Sequence, residues 1–143
     1  MIVCRLAEEK VAPRLASLIL GGNQTIDDTP DLVAVCEDTE EDRILAMIGC
    51  YLNEPGMVII GGFLVDPEVY ADAEMRRAVA GDLVENFYFP WLLARECKAV
   101  VWPVSKRNTR MQRWLERHGG RRYNKKHGHY YYVVTLDPAL RGE

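Results

Sequence analysis

The segment KAVVWPVSKRNTRMQRWLERHGG, residues 98–120, contains the clearest structural pattern in the chain. Residues 99–104 form an apolar run that predicts a short strand, and the polar residues 105–108 predict a connection. Beyond this connection apolar residues recur with helical spacing, and the predicted helix ends at Gly119 or Gly120. One face of the helix is therefore predicted to be buried, and it consists of Met111, Trp114, Leu115 and His118.

The polar residues of this segment also have predicted positions. Asn108 lies where the strand gives way to the helix, so its side chain is predicted to cap the first turn. The arginines fall mostly on the faces away from the apolar stripe and are predicted to face solvent: Arg107, Arg110, Arg113 and Arg117. These features predict a strand–helix unit, and by themselves they require no ligand.

Four more strands are predicted before this unit, over residues 2–6, 32–37, 43–52 and 57–65. A helix is predicted over 11–20, followed by an acidic, turn-rich loop over 23–31. The glycines Gly61 and Gly62 lie inside the fourth strand, where such residues often indicate a bulge or a close approach of the backbone. Two final strands are predicted within 121–136, around a Lys-His-Gly turn.

A long helix is predicted after Pro67, because apolar residues there keep helical spacing. They are Met75, Val79, Leu83, Phe87 and Trp91. Pro90 is expected to kink this helix or to end its first part.

This order of elements predicts the fold class. Hairpins require antiparallel pairing, whereas strand–helix–strand segments require a parallel pair. We therefore expect one α/β or α+β domain over residues 1–143, with a mixed, mostly antiparallel central sheet and helices on both faces.

Composition limits the class of protein further. The 143 residues are 48% hydrophobic and 27% charged, which are ordinary values for a globular protein. The sequence shows no secretory signal pattern and no apolar run long enough to cross a membrane, so a cytoplasmic protein without a membrane partner is expected. The four cysteines lack metal-binding spacing, which favours buried thiols over a metal site.

Charge is distributed unevenly along the chain. Residues 98–126 contain ten Lys and Arg against one acid, Glu116, whereas the rest of the chain has a net charge of −12. Such a dipolar molecule can attract an anion at one end and a cation at the other.

Two motifs resemble those of the GNAT superfamily, the Gcn5-related acyl-CoA N-acyltransferases. GFLVDPE, residues 62–68, is similar to the end of the family's fourth strand, and NTRMQRWLERHGG, residues 108–120, is similar to its strand-Asn-helix-Gly segment. The order of elements resembles that of the family over essentially the full length.

The resemblance implies a GNAT-like fold in which the strands ending at Val65 and Val104 splay apart and acyl-CoA inserts between them. It implies acetyl-CoA as the cofactor and an amine as the acceptor. Val65 would offer backbone groups to the pantetheine arm, Asn108 would orient that arm, and Arg76 and Arg77 would contact the phosphates. The acidic residues between 27 and 42 would attract a cationic substrate.

The sequence departs from the family pattern at two places. The phosphate-binding loop Q/R-x-x-G-x-G/A is matched best by Arg76-x-x-Val79-x-Gly81, where a valine replaces the first glycine. The tyrosine that many members use as general acid corresponds to Leu115. The last strands contain four tyrosines, which are interpreted as strand residues: Tyr123, Tyr130, Tyr131 and Tyr132. No catalytic residue is therefore assigned.

Three functions remain open at this point. The chain could be an acyl-CoA-dependent N-acyltransferase, with its activity uncertain because of these departures. Alternatively, it could be a non-catalytic GNAT-fold assembly protein, for example a tailed-phage virion component, that docks a protein partner or itself through its basic face. A nucleic-acid site at the basic end is less favoured, since Trp114 is predicted to be buried and no motif of nucleic-acid-binding proteins is present.

Overall fold

The described strands and helices follow one another along the chain in the predicted order. The computed structural model describes residues 1–7, 31–52 and 54–137. Its strands are β1 (Ile2–Ala7), β2 (Leu32–Asp38), β3 (Arg43–Leu52), β4 (Met57–Val65), β5 (Ala99–Ser105), β6 (Arg121–Lys126) and β7 (His129–Thr135). The helix predicted over 11–20 and most of the acidic loop over 23–31 lie outside the described residues.

The strands form one mixed sheet with the order β1-β2-β3-β4-β5-β7-β6. The pairs β1/β2, β2/β3, β5/β7 and β6/β7 are antiparallel, and β4/β5 is parallel. The prediction of a mixed, mostly antiparallel sheet is confirmed. The parallel pair is expected on physical grounds because a helical crossover, and not a hairpin, connects β4 to β5.

The chain divides into two compact units. The first contains residues 1–51 and 61–91, and the second contains residues 52–60 and 92–143. Strand β4 contributes its beginning to the second unit and its end to the first. The expectation of a single domain over 1–143 remains a prediction.

The core of the first unit lies on β2 and β3. Val33, Val35 and Met47 form a buried cluster against which Leu64 of β4 packs. Every residue of β3 from Leu45 to Cys50 is buried, because a central strand covered on both faces can be apolar throughout.

The segment after β4 is helical as predicted, but it breaks at Asp72, and Pro90, where a kink or an end was expected, lies inside its last helical part. It consists of α1 (Pro67–Ala71), α2 (Ala73–Ala80), a π-helix (Gly81–Tyr88) and α3 (Phe89–Ala94). Asp72 ends α1 and begins α2, because its extended backbone breaks the helix and its carboxylate caps the next one.

The π-helix changes which residues of this segment face the core. The buried residues are Val79, Leu83, Val84, Tyr88 and Leu92, so the stripe moves by one position after Leu83. A π-helix bonds each N–H to the carbonyl five residues earlier, as Phe89 does to Val84, and this wider turn accounts for the shift. Pro90, which has no N–H to donate, lies just after the π-helix ends. The apolar stripe predicted to continue through Phe87 and Trp91 therefore continues instead through Tyr88 and Leu92.

In the second unit, helix α4 (Thr109–Arg117) packs through its predicted stripe. Leu115 is fully buried, and the Trp114 ring lies 5.8 Å from the ring of Trp102 on β5. The helix ends at His118, and Gly119 has a φ of +81°, the left-handed conformation that favours glycine. The predicted stop signal is thus confirmed at Gly119.

Strands β6 and β7 form the predicted hairpin. The turn residues His127 and Gly128 have φ values of +52° and +78°, which is the pattern of a type I′ turn. Strand β6 is the last strand of the sheet, and all six of its residues are exposed.

Candidate functional site

The end of β4 is fixed by a network around Asp66. The backbone N–H of Asp66 donates to the carbonyl of Leu45 at 2.8 Å. The Asp66 carboxylate accepts from the backbone N–H groups of Glu68 and Val69, at 2.9 and 3.4 Å, and so caps α1. Pro67 suits the first helical position, where its missing N–H costs no helical bond. The strand that ends at Val65 therefore passes into a defined turn.

Arg43, at the beginning of the neighbouring strand β3, binds the side chains of this turn. Its guanidinium donates to both carboxylate oxygens of Asp66 and, at 3.2 Å, to Glu68. The hydrogen bond to Asp66 raises the pKa of Arg43, with the nearby Asp66 and Glu68 charges acting in the same direction. A forked arginine–carboxylate contact fixes orientation as well as charge. The sequence reasoning missed Arg43, which lies 23 residues before its partner and belongs to no local motif.

Helix α2 begins where the family's phosphate loop would be expected. Its N-terminal amides are already engaged, because the Asp72 carboxylate accepts from the N–H groups of Glu74 and Met75 at 3.0 and 3.2 Å. Glu74 adds a second acid to the first turn. An anion at this end is favourable for the helix dipole but repels a phosphate.

Arg76 and Arg77 follow on the same helix. Arg76 donates to the carbonyl of Tyr70 at 2.6 Å and places its guanidinium 5.3 Å from the centre of the Tyr70 ring. Arg77 donates through Nε to the carbonyl of Ala73 at 3.2 Å. Both side chains keep further N–H groups beyond these contacts, since a guanidinium has five donors.

Asn108 caps α4 as predicted. Its Oδ1 accepts from the backbone N–H of Met111 at 3.1 Å, and the residue is exposed. Because the oxygen is used by the helix, the side-chain NH₂ is the part of the amide that remains to contact a ligand.

The parallel ladder between β4 and β5 is short. Its pairs are Met57 with Ala99, Val58 with Val100 and Ile59 with Val101, all within the second unit. Strand β4 runs six residues beyond Ile59, to Val65, and β5 runs four residues beyond Val101, to Ser105.

The predicted cofactor-binding residues are divided between the two units. Val65, Arg76 and Arg77 belong to the first unit, and Asn108 belongs to the second. Within the first unit, the chain from the end of β4 to α2 brings Val65 and the two arginines into one continuous stretch.

The position of the family's general acid is closed to solvent. Leu115 lies on the buried face of α4 and is itself fully buried, so a side chain at this position points into the core. Among the tyrosines of the last strands, Tyr132 is also fully buried, and its hydroxyl donates to Glu116 at 3.0 Å. Burial and the Glu116 carboxylate both raise the pKa of Tyr132. Nothing in the sequence pairs Glu116 with Tyr132, because the contact joins a helix to a strand 16 residues away.

The four cysteines are free thiols, and three of them, Cys36, Cys50 and Cys97, are buried. Cys4 lies directly opposite Cys36 in the β1/β2 register. Among the described residues there is no group of three or more His, Cys, Asp or Glu side chains that could hold a metal ion. Burial raises the pKa of Cys36 well above its ordinary value of 9.0, and the Cys4 sulfur adds to the effect.

We expect alkaline pH to reduce stability through these thiols. In the folded state Cys36 keeps its proton well above pH 9, whereas in the unfolded chain the thiol ionises around pH 9. The free energy of unfolding therefore falls as the pH rises above 9. The loss should approach about 1.4 kcal/mol per pH unit for one fully shifted group.

Urea unfolding of wild type and Cys36→Ala at about pH 8 and about pH 10 measures this effect. The wild type should lose more stability than the variant as pH rises, because the variant lacks the ionising group. Equal losses in the two proteins would contradict the assignment.

No helix among the described residues is long and apolar enough to cross a membrane.

Comparison with known proteins finds similarity in structure and not in sequence. No protein-family model matches the chain, and no curated protein matches its sequence. A GNAT-family acetyltransferase of Staphylococcus aureus Mu50 superposes with a TM-score of 0.68 and 13% identity, over 96% of this chain and 100% of that one.

Two further structures have different stated substrates. The ribosomal-protein-S18-alanine N-acetyltransferase of Escherichia coli matches with a TM-score of 0.69 and 12% identity, over 96% of this chain and 95% of that one. A spermidine N-acetyltransferase chimera from Vibrio cholerae and hSSAT matches with a TM-score of 0.68 and 11% identity, over 97% and 98%. The similarity covers nearly the whole of each chain. The chain therefore has the fold of the GNAT N-acetyltransferases.

Proposed function

We propose that the protein is an acyl-CoA-dependent N-acyltransferase that uses acetyl-CoA as donor and an amine as acceptor. The observation that carries the proposal is the short β4/β5 ladder, which ends at Ile59 while β4 continues to Val65. Backbone N–H and C=O groups of an extended strand are suited to bind the amides of a pantetheine arm, in the way that an added strand binds a sheet. The network of Arg43 and Asp66 supports this role, because it holds the end of β4 in one conformation.

The chemistry follows from the donor. Acetyl-CoA supplies an acyl group activated as a thioester. The protein's part is to place that carbonyl beside a neutral amine, and positioning of this kind can supply much of the rate enhancement. Acidic residues of the β2–β3 connection, such as Glu40 and Glu41, are exposed and would attract a cationic amine.

The phosphates of the cofactor require a different arrangement from the family's loop. Asp72 occupies the amides of α2, so these groups do not fit a pyrophosphate. Arg76 and Arg77 on the same helix would hold the phosphates instead, since guanidinium groups suit phosphate oxygens. The proposal thus assigns phosphate binding to side chains.

Asn108 provides a test of the assigned cofactor site. Asn108→Ala should weaken acetyl-CoA binding about three- to tenfold, because one hydrogen bond from the side-chain NH₂ is lost. It should also destabilise the protein by about 1 kcal/mol, since the cap on Met111 disappears.

Asn108→Ser separates these two effects. Serine caps helices as well as asparagine does, so this variant should keep the stability of the wild type while losing the same cofactor affinity. Calorimetric titration and urea unfolding of both variants give the two quantities. Wild-type affinity in Asn108→Ser would remove Asn108 from the site.

Activity is tested with a panel of amines. The similar structures carry out acetylation of a protein's alanine and of spermidine according to their names, so an alanine-starting peptide, a lysine peptide and spermidine are reasonable first acceptors. Release of free CoA thiol, confirmed by mass spectrometry of the acetylated amine, would establish the reaction. If acetyl-CoA binds but none of these amines is acetylated, the result would contradict acetyl transfer to amines of these classes.

A second candidate is favoured by one observation. The Asp72 cap at the expected phosphate position is what a GNAT-fold protein without cofactor would tolerate, which fits a structural or assembly role. The aromatic residues 87–91 do not add support for such a role, because Tyr88 is fully buried and donates to the carbonyl of Leu32 at 2.8 Å. Absence of acetyl-CoA binding would favour this candidate.

A further inference from the structure

The outermost hairpin of the sheet carries a surface that the proposed acyl transfer does not use. Among the described strands, β6 has a neighbour only on the β7 side, and its sequence RRYNKK contributes four positive charges that are all exposed. Strands β6 and β7 contain no acidic residue. Tyr123 in the middle of β6 is 56% exposed, which is high for an aromatic side chain.

The register shows which residues share a face. Residues directly opposite each other in an antiparallel pair point to the same side of the sheet. Arg121 lies opposite Val133, Asn124 opposite Tyr131 and Lys126 opposite His129. The hydroxyl of Tyr132 contacts Glu116, so Tyr132 points toward α4. Its neighbours Tyr131 and Val133 point to the other face, and the β6 residues opposite them share that face.

Tyr123 joins this face through a bulge. The register shifts between Arg122 and Asn124, which makes Tyr123 the extra residue of the strand. Its ring lies 6.4 Å from the Tyr131 ring in an edge arrangement, which places both rings on the same side. We call this surface the tyrosine face, consisting of Arg121, Tyr123, Asn124, Lys126 and Tyr131.

On the opposite side of the hairpin, the ring of Tyr130 is engaged by cations of the protein itself. The Tyr130 ring has the guanidinium of Arg122 at 4.2 Å and the ammonium of Lys106 at 5.5 Å from its centre. These cation–π contacts stabilise the hairpin. The tyrosine face differs, because its most exposed ring, Tyr123, contacts another aromatic residue and lies along β6 between the cations Arg121 and Lys126.

We propose that the tyrosine face binds single-stranded nucleic acid. Positive charges along a strand attract the phosphate backbone, and an exposed aromatic ring stacks on an unpaired base. A duplex offers phosphates but no free base face, so it would leave Tyr123 unused. An acidic protein surface would engage the cations but offers no unpaired base on which the ring could stack. The predicted burial of Trp114 weighed against nucleic acid in the sequence, but Trp114 is half-buried and does not belong to the tyrosine face.

Binding to a labelled oligonucleotide of about twelve nucleotides tests the proposal, since such lengths fall within known site sizes. The probe is a fluorescein-labelled mixed-sequence single strand, followed by fluorescence polarisation at increasing salt. Tyr123→Ala should weaken binding about tenfold, whereas Tyr123→Phe should bind like the wild type because stacking needs the ring only. Tyr123 is exposed, and thermal unfolding of both variants verifies that they fold.

A charge-matched pair of variants separates a local contact from net charge. Lys126→Ala and Lys98→Ala each remove one exposed lysine, but Lys98 precedes β5 and lies outside the tyrosine face. Lys126→Ala should reduce the slope of log affinity against log salt by about 0.7, the value for one phosphate contact with a single strand. Lys98→Ala should leave that slope unchanged.

Several results would overturn the proposal. Equal effects of the two lysine variants would mean that only net charge is sensed. Wild-type affinity in Tyr123→Ala, or equal affinity for a duplex, would exclude base stacking. Complete competition by polyglutamate at equal charge, or salt-sensitive self-association without oligonucleotide binding, would assign the surface to an acidic protein or to a second copy of the chain.

Discussion

Replacing Gly61 with alanine is expected to destabilise the protein by about 1–3 kcal/mol, the usual cost of overpacking. A Cβ atom at Gly61 would lie 2.0 Å from Cε2 of Tyr51 and 2.6 Å from Cδ2 of the same ring. The half-buried Tyr51 ring would have to leave its position, and its packing against Gly61 would be lost. Urea unfolding, monitored by circular dichroism, measures the effect.

The neighbouring glycine provides a matched control. A Cβ atom at Gly62 would meet no other atom within 4 Å, and Gly62 has no positive φ, so Gly62→Ala should change stability by no more than about 0.5 kcal/mol. Truncating Tyr51 to alanine should remove the penalty, because Gly61→Ala then meets no ring. If Gly61→Ala costs as much without the ring as with it, the close approach is not the reason for glycine here.

Leu115→Ala should cost about 2–5 kcal/mol, as expected for truncation of a fully buried leucine. Leu115 is the one fully buried residue of α4, and the N–H of Gly120 donates to its carbonyl at 2.7 Å. Removing the side chain leaves a cavity between α4 and the sheet. Alanine has the higher helix propensity, so the loss reports packing and not helix formation.

An exposed position of the same helix serves as the comparison. Arg113→Ala should lie within about 0.5 kcal/mol of the wild type, because the side chain faces solvent. A loss below about 1 kcal/mol for Leu115→Ala would contradict the packing described for α4, since even modest collapse of such a cavity leaves a larger cost.

Local patterns predicted much of the fold. The alternation of strands and turns located every described strand to within two residues, and the spacing of Met111, Trp114 and Leu115 identified the buried face of α4. Asn108 and Gly119 were identified as the boundaries of that helix by their capping chemistry. These features depend on residues within one or two turns of each other, which is why the sequence reveals them.

Features that depend on distant or irregular geometry were not predicted. The π-helix moves the buried stripe from Phe87 to Tyr88, and a regular 3.6-residue period cannot anticipate an added residue per turn. The brace between Arg43 and Asp66 joins two strands, and the cap by Asp72 required the helix to break at that residue. At the candidate site, the positions of Val65, Arg76 and Arg77 follow from the motif, but their contacts do not.

The end of β4 and the arginines of α2 are proposed to bind an acyl-CoA despite the Asp72 cap. Calorimetric titration with acetyl-CoA at low and at moderate salt tests this proposal most directly. Asp72→Asn is the informative variant, because asparagine still caps α2 but removes the negative charge beside the proposed phosphate position.

We predict micromolar binding, about −8 kcal/mol, that survives added salt and becomes tighter in Asp72→Asn. No binding, or weak binding that disappears with salt in both proteins, would contradict this claim. The arginines would then attract phosphates only as exposed charges.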